Sequence, residues 1–99
     1  MDKIIRGTTP TLLYTFNNVN VSNITVAYLT LKTPEKIEKD LSEATVGEKS
    51  LAWTLTQAET LAFGNSISAM INWKTADGTR GASEKVNITV EDNYKDIEI

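Results

Sequence analysis

Apolar and polar side chains alternate, one residue in two, along nearly every segment of this 99-residue chain, with turn-forming residues between the segments. Successive side chains of a strand point to opposite sides of a sheet, so a period of two is what a half-buried strand requires. A helix needs its apolar residues three or four apart and would bury little with this pattern. The chain is therefore expected to be all-β, and its strands can be placed one by one. A short one, Lys3 to Arg6, ends at Gly7. In "TLLYTF" Leu12, Tyr14 and Phe16 share a face, with Pro10 ahead of the strand, where a missing N–H costs least. An Asn-rich loop, Asn17 to Asn23, leads into the longest segment, "ITVAYLTLK". There Ile24, Val26 and Tyr28 fall on one side, and Ala27, Leu29 and Leu31 on the other.

Beyond Pro34 the pattern turns charged: Ile37, Lys39 and Leu41 alternate with Lys36, Glu38 and Asp40. Charges of this kind belong on an edge strand, where they discourage pairing with a stranger. In "SLAWTLT" Leu51, Trp53 and Leu55 face one way, and "NSISAMINWKT" lines up Ile67, Ala69, Ile71 and Trp73. Asp77-Gly78 marks a hairpin, since Gly tolerates positive φ, and the last strand, "EKVNITVED", turns Val86, Ile88 and Val90 inward.

One stretch, "LTQAETLAFG", abandons the period of two for a single turn. Thr56 and Glu59 have capping-box spacing, each side chain within reach of the other's backbone N–H. Gly64, followed by Asn65, suits the left-handed residue that stops a helix. The seven residues between them make about 10 Å of helix, too short to be stable without packing through Ala58, Leu61 and Ala62. Such a helix closes the end of a sandwich as the chain crosses between its fifth and sixth strands. The expectation is one domain over residues 1–99: an immunoglobulin-like antiparallel β-sandwich of about seven strands with one short helical crossover turn.

Composition removes several functions. Cysteine and histidine are absent, so disulfides, thiolate nucleophiles, Cys/His zinc sites and imidazole bases are all excluded. A net charge of −3, with its basic residues scattered among acids, speaks against nucleic acid. The N-terminal "MDKIIRGTTP" carries charges and no apolar stretch, so neither a signal peptide nor a membrane span is expected there.

Four constellations invite chemistry, and each has a plainer explanation. Glu35 or Asp40 with Glu38 could pair as glycosidase carboxylates, but they stand among lysines on what reads as a solvated edge. Ser83 and Lys85 share one side of a strand, as a Ser–Lys dyad would, without an oxyanion-forming loop. Glu91, Asp92 and Asp96 lack the central glycine of a calcium loop. Trp53, Trp73, Tyr14 and Tyr28 could stack on sugars, yet all four follow the apolar parity of their strands. No catalytic residue, cofactor or metal is expected.

The long third strand is apolar on both sides, whereas a sandwich strand should be wet on one. Leu29 and Leu31, with Leu13 from a neighbouring strand, are therefore the candidate protein interface. Either the tail's Ile97 and Ile99 or another subunit would cover that patch.

In "IIRGTTPTLLYTF", "LTQAETLAF" and "KTADGTRGASEKVNITVED" the chain resembles small proteins encoded among phage and prophage structural genes of Gram-positive bacteria. It is also similar to the N-terminal immunoglobulin-like domain of phage baseplate upper proteins. These motifs span nearly the whole chain and are structural. The resemblance implies a virion, tail or baseplate-associated component, found in the particle or in the bacterial cytoplasm during assembly. Residues and resemblance together point to a non-catalytic protein that acts by binding proteins, copies of itself or other virion components, and neither nucleic acid nor membrane. The alternative is a cell-surface or carbohydrate-binding module using the loops beside Trp73 and Tyr94.

Overall fold

A computed structural model describes residues 3–33 and 35–99; Pro34, taken above as the break before the charged strand, lies outside them. The fold is an all-β sandwich of two sheets. Nine strands follow one another: β1 (Lys3–Ile5), β2 (Thr11–Thr15), β3 (Ile24–Lys32), β4 (Lys36–Asp40), β5 (Thr45–Val46), β6 (Ser50–Thr54), β7 (Ser66–Thr75), β8 (Arg80–Ala82) and β9 (Val86–Glu91). One helix, α1 (Gln57–Leu61), joins β6 to β7. The larger sheet runs β1-β9-β7-β3-β4, with β8 also on β7, and the smaller runs β2-β6-β5. Every pairing is antiparallel except β1 on β9, where first and last strands run parallel.

Two strands beyond the expected seven are short. β5 is two residues long, and β8 reads Arg-Gly-Ala, so neither is long or apolar enough to show alternation. The Asp77-Gly78 turn forms as expected: Gly78 has φ +91° and donates its N–H to the Thr75 carbonyl at 3.0 Å. Asp77 accepts from the Thr79 N–H at 3.0 Å and from the Thr75 hydroxyl, and these bonds hold its carboxyl below the usual range.

The core lies between the sheets and joins Leu12 and Phe16 to Leu51, Trp53 and Leu55, and across to Leu29, Leu31, Ile67, Ile71, Ile88 and Val90. Here the third strand departs from its simple alternation. Between Ile24 and Val26 the register against β7 slips by one residue, a β-bulge at Thr25. Ile24 points inward before the bulge; after it the inward set is Ala27, Leu29 and Leu31, while Val26 and Tyr28 face out. Leu29 is 2% exposed and Leu31 fully buried. The surface patch expected from Leu29 and Leu31 is thus corrected: both are core, and only Leu13, 65% exposed, stands outside.

Candidate interaction surface

A sandwich is open along two flanks, where the edges of its sheets come together. On one flank the edges are β4 and β5, and the chain itself crosses between the sheets there through a 3-10 turn, Leu41–Glu43. Asp40 caps that turn, accepting from the Ser42 N–H at 3.0 Å, and Glu43 returns the bond to the Asp40 N–H at 2.9 Å. Trp53, fully buried in the facing sheet, donates its indole N–H to the Asp40 carbonyl at 2.9 Å. Leu41 and Ala44 pack against the core behind it. This flank is sealed.

The other flank lies between β2 and the β8–β9 edge; residues 6–10 link β1 of the larger sheet to β2 of the smaller there, and among the described residues no strand pairs along the outer side of β2. β2 pairs with β6 alone. The ladder closes at both ends with even residues, Leu55 N–H to the Pro10 carbonyl at 2.9 Å and Phe16 N–H to the Lys49 carbonyl at 2.7 Å. Antiparallel pairs alternate between bonded and non-bonded, so Thr11, Leu13 and Thr15 turn their N–H and C=O groups away from β6, to the free edge. Opposite them the β7 partner is broken: Ala82 pairs with Asn72 and Val86 with Ala69, leaving Ser83, Glu84 and Lys85 against Met70 and Ile71. Ser83 bridges the gap. Its N–H bonds the Ile71 carbonyl at 2.8 Å, its hydroxyl oxygen accepts the Ile71 N–H at 2.9 Å, and the hydroxyl donates to the Glu84 carbonyl at 3.1 Å.

Between the β2 edge and this break opens a groove of about 430 Å³. Leu29, Ile71 and Ile88 line its buried part, and Leu12, Tyr14 and Val86 also line it. Val86 has the inward parity of Ile88 and Val90, yet it is 47% exposed. An inward-facing side chain without a cover marks a place where the sandwich is incomplete. Beside the groove, Tyr14 and Phe16 pack on Trp73 with ring centroids 5.6 Å and 4.9 Å away. Gly81, opposite Trp73 on β8, leaves room for the indole, which a Cβ there would strike.

The motifs shared by the opening of the chain and its crossover meet at one end of the molecule. Thr60, fully buried, accepts the Gly7 N–H at 2.9 Å and donates to the Thr8 carbonyl at 2.8 Å. Gly7 makes that approach at φ +86°, the left-handed region that favours glycine. Arg6 reaches the Gly64 carbonyl and the Asn65 side chain at 3.4 Å, while its Nη1 is buried without a hydrogen-bond partner. The Thr56–Glu59 capping box forms, with bonds of 3.1 and 2.8 Å. Glu59 also pairs with Lys39 of β4 at 2.9 Å. Burial opposes the Glu59 charge, but the Thr56 N–H, the Lys39 ammonium and the Thr56 hydroxyl together hold the carboxyl below its ordinary value. The helix buries Thr60, with Phe63 just beyond it, and of the three residues expected to pack only Leu61 is half-buried, against Gly7, while Ala58 and Ala62 are exposed. This end is a structural clasp.

The remaining candidates separate. Of the three leucines, Leu13 and Leu29 both line the groove, Leu13 exposed and Leu29 buried, and Leu31 lies in the core outside it. Trp53 is core, Tyr14 and Trp73 are half-buried together, and Tyr28 stands on the outer face, so the four aromatics form no shared platform. Glu38 pairs with Lys36 at 3.4 Å on the exposed edge, and the hydrogen bonds of the Ser83 hydroxyl are to backbone groups of Ile71 and Glu84. Glu91 and Asp92 pair with Lys3 and Arg6, and among the described residues no three acidic side chains cluster as a metal site would require. The tail does not cover the leucines: Ile97 and Ile99 are exposed, and Ile99 is held by the Gln57 carboxamide through bonds of 2.8 and 3.1 Å. Alternation placed Val86 inward and Ser83 beside Lys85, but could not show that Val86 is left uncovered or that Ser83 bridges a broken strand. The run Gly81-Ala82-Ser83 was the available signal, since small residues interrupt the apolar pattern where β8 gives way to β9.

Compared with family models, curated proteins and solved structures, the chain matches none. No helix among the described residues is long and apolar enough to cross a membrane.

Proposed function

We propose that this domain is a non-catalytic structural component that acts by binding protein through its open flank, in a phage or prophage particle of the kind its opening and crossover motifs resemble. One observation carries the reading: a bare strand edge, β2, borders an apolar groove in which the inward-facing Val86 is uncovered. Unpaired N–H and C=O groups want a strand, and an apolar trough beside them wants the strand's alternate side chains. The cellular setting that follows is the virion, or the host cytoplasm while particles assemble.

Coexpression with the proteins encoded beside it in a phage or prophage genome tests this reading. A stoichiometric complex or particle that keeps the wild type and loses Leu13→Lys supports it. Retention of both proteins alike, or of neither, counts against binding through this flank. A fluorescence response to bacterial polysaccharide, lost in Tyr94→Ala, would instead establish the carbohydrate-binding alternative.

A further inference from the structure

The flank reading leaves its occupant open, and resting on that reading we infer that the occupant is a second copy of this chain, paired antiparallel along β2 about a two-fold axis at Leu13. The first reason is which edges are guarded. β4 carries Lys36, Glu38, Lys39 and Asp40, β1 carries Lys3, and β5 is two residues long. Charge and shortness are the devices by which sheets avoid pairing with their own copies. β2 has neither: Thr-Leu-Leu-Tyr-Thr is uncharged, and no charged residue occurs between Arg6 and Lys32. Guards against self-association stand at every other outer edge and are missing at this one.

The second reason is register. Centring the pair on Leu13 sets Leu13 against its own copy, Thr11 against Thr15, and Leu12 against Tyr14. Each contact is then like with like: hydroxyl with hydroxyl, apolar with apolar, and no charge meets its own sign. The residues brought face to face include Thr11, Leu13 and Thr15, those whose backbone groups are free, so about six hydrogen bonds close across the axis. The exposed Leu13 side chain gains an apolar neighbour on the outer face, and the copy's β2 lies along the groove beside Val86. Five residues make a seam of only about 17 Å, at the small end of specific interfaces, so the dimer is reversible, with dissociation at about micromolar concentration.

Because the chain has no cysteine, single cysteines report the register without background. Bonded antiparallel partners have Cα atoms about 5.5 Å apart, within disulfide reach. Leu13→Cys is expected to cross-link to itself on mild oxidation. Thr11→Cys and Thr15→Cys are expected to stay uncross-linked singly and to cross-link when mixed. Sedimentation of the wild type should show the mass rising from 10.9 kDa toward twice that between about 0.01 and 100 µM, while folded Leu13→Lys keeps the monomer mass. A wild type that stays monomeric, or equal cross-linking by Leu13→Cys and Thr11→Cys, overturns the inference. The two readings fail separately. Loss of particle binding by Leu13→Lys from a strictly monomeric wild type removes the second copy and keeps the flank; a Leu13-centred dimer that joins no particle removes the phage role and keeps the dimer.

Discussion

The two flanks of the sandwich solve one geometric problem in different ways. Along β4 and β5 the chain crosses between the sheets, and the crossing satisfies the edge: a capped turn, an indole bond to the Asp40 carbonyl and two half-buried side chains stand where solvent would enter. Along β2 and β9 the link from β1 to β2 passes between the sheets without covering the edge, and the outer side of the smaller sheet keeps its free backbone groups beside the uncovered Val86. The first short strand explains the difference. β1 pairs in parallel with β9 before the chain passes to β2, so β1 extends the larger sheet and does not lie along the β2 edge.

Substitutions can break or sharpen that contrast. The largest effect belongs to Leu29→Asp and Leu31→Asp, which bury an unpaired carboxylate in a domain with about 5–10 kcal/mol to spare. Both should be unfolded by circular dichroism at 25 °C, whereas Leu13→Asp should melt cooperatively near the wild type. Next is Thr60→Val, close in shape, which strands the part-buried Gly7 N–H and Thr8 carbonyl; urea unfolding should show a loss of about 1–3 kcal/mol. Thr56→Ala removes one half of the capping box and should cost about 1 kcal/mol in the same measurement.

A subtler effect is pH dependence at the clasp. Glu59 is held below its ordinary value near 4.5, so its contribution is fully present above that pH and is lost as pH falls through the folded value. Melting temperatures of the wild type and Glu59→Gln should therefore converge as pH falls below about 4.5. The Asp77 turn titrates in the same direction but is common to both proteins and cancels in the difference. The smallest effect is Val86→Thr, expected to change stability by less than about 0.5 kcal/mol because the open flank contributes little to the fold of a single chain. A large loss there would mean that the groove is closed in solution.

Much of the fold was legible because its signals are local. The β3 boundaries, Ile24 to Lys32, follow from one uninterrupted run, and the Thr56–Glu59 box and the Asp77-Gly78 turn each need only neighbours in the chain. Leu29 and Leu31 were misread for the opposite reason. With apolar residues on both sides of β3, parity alone cannot say which side is inner, and the bulge at Thr25 switches the face after the first residue. The groove was out of reach altogether, since it is made by residues from β2, β3, β7 and β9 and by the absence of a strand.

By themselves, then, the alternation determined that this chain stacks sheets, the capping box where its α-helix begins, and the composition that its chemistry excludes thiols and imidazoles. Which leucines are inner, which edge is left bare and where the sandwich stays open were decided only in three dimensions. The physical reason is that a strand's hydrogen bonds and one of its faces are completed by residues distant in the chain, so what remains uncompleted is a property of the assembled sheets.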